Sequence, residues 1–249
     1  MAFTCANLTA YWAQEESGSN PRIDAKGAND LTPTGVVGQD TGIIGQAASF
    51  SGTSYLSRPS TTDLTMSGNV PFSLALWFYL ATTATQGLLW KGTNVTGLLD
   101  YEWRLNTSST NVLFAVTDGP GAHQGVVTTT ATWALTTWTF LAAWYDGAFL
   151  YCSLNNAAPT TTAYTFGSWA GSHALGCGAS GNGSSIISNG SRLDEVSVWK
   201  NYAFTSDDVT TLYNAGAGYG YDSICPVGGD PFPAWSAPRH SVMAPILAQ

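Results

Sequence analysis

Pro71-Phe-Ser-Leu-Ala-Leu-Trp-Phe-Tyr-Leu80 is the stretch that decides how this chain folds. In an extended strand, Phe72, Leu74, Leu76, Phe78 and Leu80 fall on one face, with Ala75, Trp77 and Tyr79 on the other. Both faces are apolar, which places the strand in the middle of a sheet covered on both sides. Working outward, Gly87–Lys91, Tyr101–Leu105, Val112–Val116, Gly125–Thr130, Trp138–Tyr145 and Phe149–Leu154 repeat the theme, with Gly- or Asn-bearing turns between them. Asp146-Gly147, set between two apolar runs, predicts a tight hairpin. The pattern is that of a two-sheet antiparallel sandwich.

The flanks fit the same scheme. Tyr11-Trp12 opens the first strand, and Gln14 to Gly45 reads as turns and edge strands. Ala47 to Leu56 reads as one strand, followed by a polar loop from Ser57 to Val70. Arg192-Leu-Asp-Glu-Val-Ser-Val-Trp199 is the last long strand. Thr205-Ser-Asp-Asp208 then supplies a capping hydroxyl and first-turn carboxylates for a short helix that Gly216 ends. Residues 221–249 hold five prolines and little periodicity. They predict an extended arm outside a body of residues 1–220.

Composition limits what such a body can do. Of 249 residues only 10% are Asp, Glu, Lys or Arg, and the formal net charge is −8. That balance argues against nucleic acid and anionic membranes as partners, and no apolar run is long enough to span a bilayer. The first residues lack a basic segment and an apolar core, so no secretory leader is expected. Cys5, Cys152, Cys177 and Cys225 allow two bridges in three pairings. Cys152 shares a strand face with Leu150 and Leu154 and is expected as a buried thiol. The Cys and His spacings do not suit zinc.

Taken in order, several segments resemble the laminin-G-like, concanavalin A-like jelly-roll domains. Tyr11-Trp12 with Gly18, Arg22 and Asp24 is similar to the family's opening segment. Trp138 to Gly147 is similar to its tryptophan strand and Asp-Gly turn. Arg192–Trp199 followed by Ala203-Phe-Thr-Ser-Asp-Asp-Val209 is similar to its closing strand and helix. The resemblance covers roughly Leu8 to Gly216 and implies an all-β jelly roll of two curved sheets packed face to face. It also implies a structural calcium ion, with Asp24 and Asp194 as the candidate ligands. Asp194 has alternative partners in Arg22 and Arg192.

Family members that hydrolyse glycans carry a cluster of carboxylates on one strand, because the chemistry needs one protonated and one ionised carboxyl. This chain has four glutamates, Glu15, Glu16, Glu102 and Glu195, and none sits in such a cluster. The nearest approach is Asp100-Tyr-Glu-Trp-Arg104, which reads more simply as a solvated face with a Glu102–Arg104 ion pair. The chain is therefore expected not to be an enzyme. Gly176-Cys-Gly-Ala-Ser-Gly181 fits a dinucleotide-binding pattern formally, but a turn-rich stretch follows it where a helix is needed. His123, His173 and His240 read as surface residues.

Sugar binding needs aromatic faces beside a few polar groups. Trp90, Tyr101, Trp103, Trp169 and His123, with Asp100, Glu102 or Asn94, are the candidates, whereas Trp12, Trp77, Trp138, Trp144 and Trp199 belong to the core. Two uses remain open. One is a non-catalytic structural or adhesive component of a virus particle, such as a phage capsid decoration or tail-associated protein. Its arm would dock on neighbouring capsid or tail subunits or on further copies of the chain, and its body would meet cell-surface glycans. The other is a carbohydrate-binding module of a secreted, extracellular bacterial protein.

Overall fold

The computed structural model describes residues 4–93, 101–120 and 122–226. The strands in chain order are β1 (Leu8–Trp12), β2 (Thr32–Thr34), β3 (Val37–Thr41), β4 (Gln46–Phe50) and β5 (Tyr55–Arg58). Next come β6 (Phe72–Tyr79), β7 (Gly87–Gly92), β8 (Tyr101–Ser108), β9 (Asn111–Thr117) and β10 (Gln124–Thr128). The last are β11 (Thr139–Tyr145), β12 (Phe149–Leu154), β13 (Thr160–Ala163), β14 (Leu175–Cys177) and β15 (Arg192–Lys200). Two short helices follow, α1 (Ser206–Tyr213) and α2 (Tyr221–Ile224).

They form two antiparallel sheets. One runs β13-β12-β11-β6-β15-β4-β3, with β1 added on β15, and the other runs β10-β9-β8-β7-β14-β5-β2. β6 lies between β11 and β15, as its two apolar faces require. Phe72, Leu74, Leu76 and Phe78 join Trp103, Leu105 and Phe114 of the other sheet in the core between the layers. Phe72 alone has three aromatic neighbours, Trp103, Phe114 and Tyr145, at 5.9–6.2 Å between ring centres. Ala75 and Trp77, on the opposite face, pack into a second apolar layer with Val209, Leu212 and Ile224. The C-terminal helices thus roof the outer side of the first sheet. β1 pairs with β15, Ala10 opposite Val198 and Tyr11 opposite Ser197, so the two ends of the body close on each other.

The local signals hold where the chemistry is local. At the β11–β12 hairpin, Asp146 Oδ1 accepts from the Ala148 and Phe149 amides, and Gly147 takes φ +100°. Cys152 is a buried free thiol, with Leu150 and Leu154 beside it in the core. Thr205 caps α1 reciprocally: its Oγ1 accepts from Asp208 N, and its own N–H donates to Asp208 Oδ2.

Four readings change. Ala47 to Leu56 is two strands, β4 and β5, in different sheets. The chain crosses between the layers at Ser51–Ser54, where Gly52 has φ +82° and Ser54 Oγ accepts from Ser51 N. α1 ends at Asn214 rather than Gly216. Asn tolerates the left-handed conformation (φ +47°), and its amide donates to Gly218 O. Trp138 is only partly buried, against Tyr79 at 5.7 Å. The segment after Gly220 begins as helix α2, and Cys225 is bonded to Cys5, so the body extends past residue 220. The rest of the arm, including His240, lies outside the described residues.

The Cys5–Cys225 crosslink spans a separation of 220 residues. In the chain-entropy limit such a loop stabilises by up to about 5 kcal/mol. Reduction, or Cys225→Ser, is therefore expected to lower the urea midpoint while leaving the native far-UV spectrum unchanged. An unmoved midpoint would show that the crosslink adds nothing.

Candidate ligand-binding site

The site is built on a bulge. Trp103 pairs with Lys91 and Tyr101 with Gly92, which leaves Glu102 without an opposite number on β7. Its carboxylate meets the Lys91 ammonium at 2.6 Å, and both side chains are 0% exposed. Lys91 Nζ also donates to Ser60 Oγ (3.0 Å) and to His173 O (2.8 Å), which employs all three of its hydrogens. The His173 amide donates to Glu102 Oε1 at 3.3 Å. One buried ion pair thus ties two strands to the loop carrying Ser60 and the loop carrying His173. Burial pushes the Glu102 carboxyl up and the Lys91 ammonium down, and the contact between them opposes both shifts.

This overturns the solvated Glu102–Arg104 pair. Arg104 instead lies over the Trp90 indole, 4.8 Å from the ring centre. Residues 102 and 104 would share a face in a regular strand, but the bulge turns Glu102 toward Lys91.

The two tethered loops wall a cleft of about 500 Å³. Ser60, Thr61, Thr62 and Thr65 line one side, Gly171 and Ser172 the other, with Lys200 also in the wall. Lys200 Nζ donates to Thr62 O at 2.7 Å. Gly171 is required by close approach: a Cβ there would lie 3.0 Å from His173 Nδ1, 3.1 Å from Glu102 Oε1 and 3.2 Å from the Trp169 ring. Trp169 and His173 meet edge to face at 4.9 Å.

The same loop carries an exposed aromatic ridge. His123 stacks on Phe166 at 3.7 Å and 3° between planes, and Asp118 Oδ2 lies 3.0 Å from His123 Nδ1. Phe166 is 52% exposed. Tyr164 OH lies 2.9 Å from Gly167 O and 3.2 Å from His123 O, its one hydrogen shared between them, and the Trp169 amide donates to Thr117 O. Of the residues expected from sequence, Trp169 lies on the loop between β13 and β14, and that loop touches Glu102 of β8 through His173 and His123 of the β9–β10 loop through Phe166. Trp103 and Trp90 are corrections, being 0% and 2% exposed with no ring face open to a sugar. Trp103 is drawn into the core by Phe72, and Trp90 lies under Arg104. Asp100, Asn94 and the Tyr101 side chain lie outside the described residues. Lys91, Ser60, His173 and Phe166 were not expected. An isolated Phe in Thr165-Phe-Gly167 has no periodic signal, and a lysine in an apolar strand reads as an edge residue.

Asp24 and Asp194 serve the backbone. Asp24 accepts from the amides of Tyr11 and Lys26 on Oδ1 and of Asn29 on Oδ2. Asp194 accepts from Ile43 and Ile44 on Oδ2 and from Glu195 on Oδ1. N–H groups crowd both carboxylates, so this donor arrangement does not fit a calcium ion held between them. No group of three or more His, Cys, Asp or Glu able to hold a metal occurs among the described residues. Neither arginine pairs with Asp194. Arg192 meets Asp40 at 2.7 Å, and Arg22 donates to carbonyls including those of Val37 and Gly38.

The family model described as the concanavalin A-like lectin/glucanases superfamily matches residues 50–210, more than half of the chain. The chain belongs to this superfamily. No curated protein matches it. Among solved structures, domain 4 of the extracellular arabinanase of Geobacillus stearothermophilus, in complex with arabinotriose, is similar at a TM-score of 0.62 and 18% identity. That match covers 82% of this chain and 97% of the domain. The binding domain of Paraclostridial Mosquitocidal Protein 1 is similar at 0.66 and 12% identity, covering 85% of this chain and 53% of that one. The binding domain of Botulinum Neurotoxin DC, in complex with SialylT, gives 0.62 and 10%, covering 86% and 52%. The chain thus spans about half of the toxin binding domains, and at these identities the likeness is one of fold.

Two measurements check this geometry. Lys91→Met should leave the buried Glu102 carboxyl without its partner, push it further up so that it takes up a proton, and cost about 3–5 kcal/mol in urea unfolding near neutral pH. Adding Glu102→Leu should recover most of the loss, and a Lys91→Met variant as stable as the parent would remove the ion pair from this role. The second is pH. Burial lifts Asp194 to about 7 and Glu195 to about 8. Both hold a proton more tightly folded than unfolded, so their contribution is full below the ordinary carboxylate range and is lost as pH rises through 7 and 8. The melting temperature should therefore be higher near about pH 5 than near about pH 8.5, and a flat or opposite profile contradicts the assignment.

Proposed function

We propose that this protein is a non-catalytic carbohydrate-binding domain whose ligand lies in the cleft between the Ser60 and His173 loops. The observation that carries the reading is the cleft's lining: serine and threonine hydroxyls and one lysine, with walls tethered by the buried Lys91–Glu102 pair. Hydroxyls both donate and accept, as sugar hydroxyls do, and Trp169 and Phe166, on the loop that also carries Gly171 and Ser172, supply ring faces for the C–H side of a sugar. Arabinotriose in the similar arabinanase domain supports the reading. Among the described residues no carboxylate lines the cleft, and Glu102, behind its wall, is engaged by Lys91, so these residues do not supply the acid–base pair that glycoside cleavage needs.

The Cys5–Cys225 disulfide supports a working place outside the reducing cytosol. A finer reading, attachment to a virus particle through the residues after Pro226, is favoured by one feature. The disulfide anchors the chain at Cys225, with only Pro226 between it and that segment, so load on the arm would reach a covalent link first. The solved neighbours lend this finer reading no support. Removal of residues 227–249 should leave glycan binding intact, and would abolish particle assembly if the finer reading holds.

Glycan-array binding by the whole chain tests the main reading. Trp169→Ala and Phe166→Ala are each expected to weaken binding about tenfold or more, in line with the loss of a stacking face. Unchanged binding in both variants, or an array with no hits, refutes it.

A further inference from the structure

A second cleft lies where β15 changes neighbours. Its outer edge pairs with β4 at Arg192 and Leu193 and with β1 from Val196 onward. Against β6 the register slips by one residue between Asp194 and Ser197. Asp194 and Glu195 therefore occupy a gap that neither β1 nor β4 covers. Asp194 uses this gap to hold the β3–β4 turn through Ile43 and Ile44. Glu195 does not serve the backbone. Its φ is +51°, it is only 6% exposed, and its buried Oε2 has no hydrogen-bond partner. Ionised, a carboxylate in that state is costly unless something binds it, so the unliganded group keeps its proton and a cation that binds there releases that proton to solvent.

Glu195 lines an open cleft of about 530 Å³. Glu15, Asp222, Tyr219, Tyr221 and Asn214 share its wall, and none of the described residues lining it is basic. Glu195 and Tyr219 also border a cavity of about 10 Å³ deeper in the fold, beside Tyr11 and Trp77. Three acidic side chains with no basic residue among the described lining, one of them buried and aimed into the space, suit a positively charged ligand. The unpartnered Oε2 accepts a hydrogen bond, so a cation that carries N–H hydrogens suits it better than one without them, and the two tyrosine rings suit the carbon skeleton next to an ammonium group. A metal ion is disfavoured because the three carboxylates do not converge into a metal-binding group.

We propose that this cleft is a binding site for a small primary amine, its ammonium group hydrogen-bonded to Glu195 and flanked by Glu15 and Asp222. The site is separate from the hydroxyl-lined cleft, and it stands or falls independently of the glycan reading. Calorimetric titration of the whole chain with 1,4-diaminobutane and with D-glucosamine tests it. N-acetyl-D-glucosamine controls for the free amine, and tetramethylammonium controls for N–H donation. Saturable binding of at least one of the two amines is expected, with neither control bound at the same concentrations. Binding of the diamine alone would assign an alkyl amine, and binding of glucosamine alone an amino sugar. Glu195→Gln should weaken binding about tenfold or more by removing one charge-assisted hydrogen bond. Glu195→Gly, which relieves the left-handed backbone, should fold at least as well as the parent and lose binding. The proposal is overturned if neither amine binds saturably, if the controls bind equally well, or if Glu195→Gln binds like the parent.

Discussion

The hydrogen-bonded edge of β15 is the constraint on which the body depends. One edge pairs along β6, while the other is shared in turn by β4 and β1, so a single strand joins the first residues of the chain to its middle. A strand cannot serve two neighbours on one edge without a gap between them, and the gap falls at Asp194–Glu195. From it follow the bulge, the buried carboxylates and the acidic cleft. The Cys5–Cys225 link then locks the roof of helices onto the same sheet.

Elsewhere the fold treats buried polar groups as fasteners for loops. Asp24 gathers three amides of its turn and of β1, and Asp194 gathers the β3–β4 turn. The Lys91–Glu102 pair does the same for two loops at once. A loop without regular pairing must satisfy its backbone groups somehow, and in this chain buried charge does much of that. The arrangement makes loop geometry dependent on a few ionisable groups, and for that reason stability is tied to pH.

The two clefts differ in chemistry more than in size. One is walled by hydroxyls, with aromatic residues further along one of its own loops, and the other by carboxylates and tyrosines. Neither lies on a regular strand face. Both sit where loops leave the sheets, which is where a lectin-like sandwich has freedom to vary without disturbing its core.

What could be read from the residues alone was whatever depends on near neighbours. The two-faced alternation of Phe72 to Leu80, the Asp146-Gly147 hairpin, the Cys152 strand and the Thr205–Asp208 cap each follow from contacts within a few positions. The ordered set of segments, through the family resemblance, also implied the jelly roll that the pairing of β1 with β15 closes. Tertiary structure alone decided the crossing at Gly52, the bulge that sends Glu102 to Lys91, the burial of Trp90 and Trp103, the His123–Phe166 stack and the disulfide. Each of these depends on register between segments distant in sequence. A shift of one residue in register reverses which side chains face inward, and no local pattern records that choice.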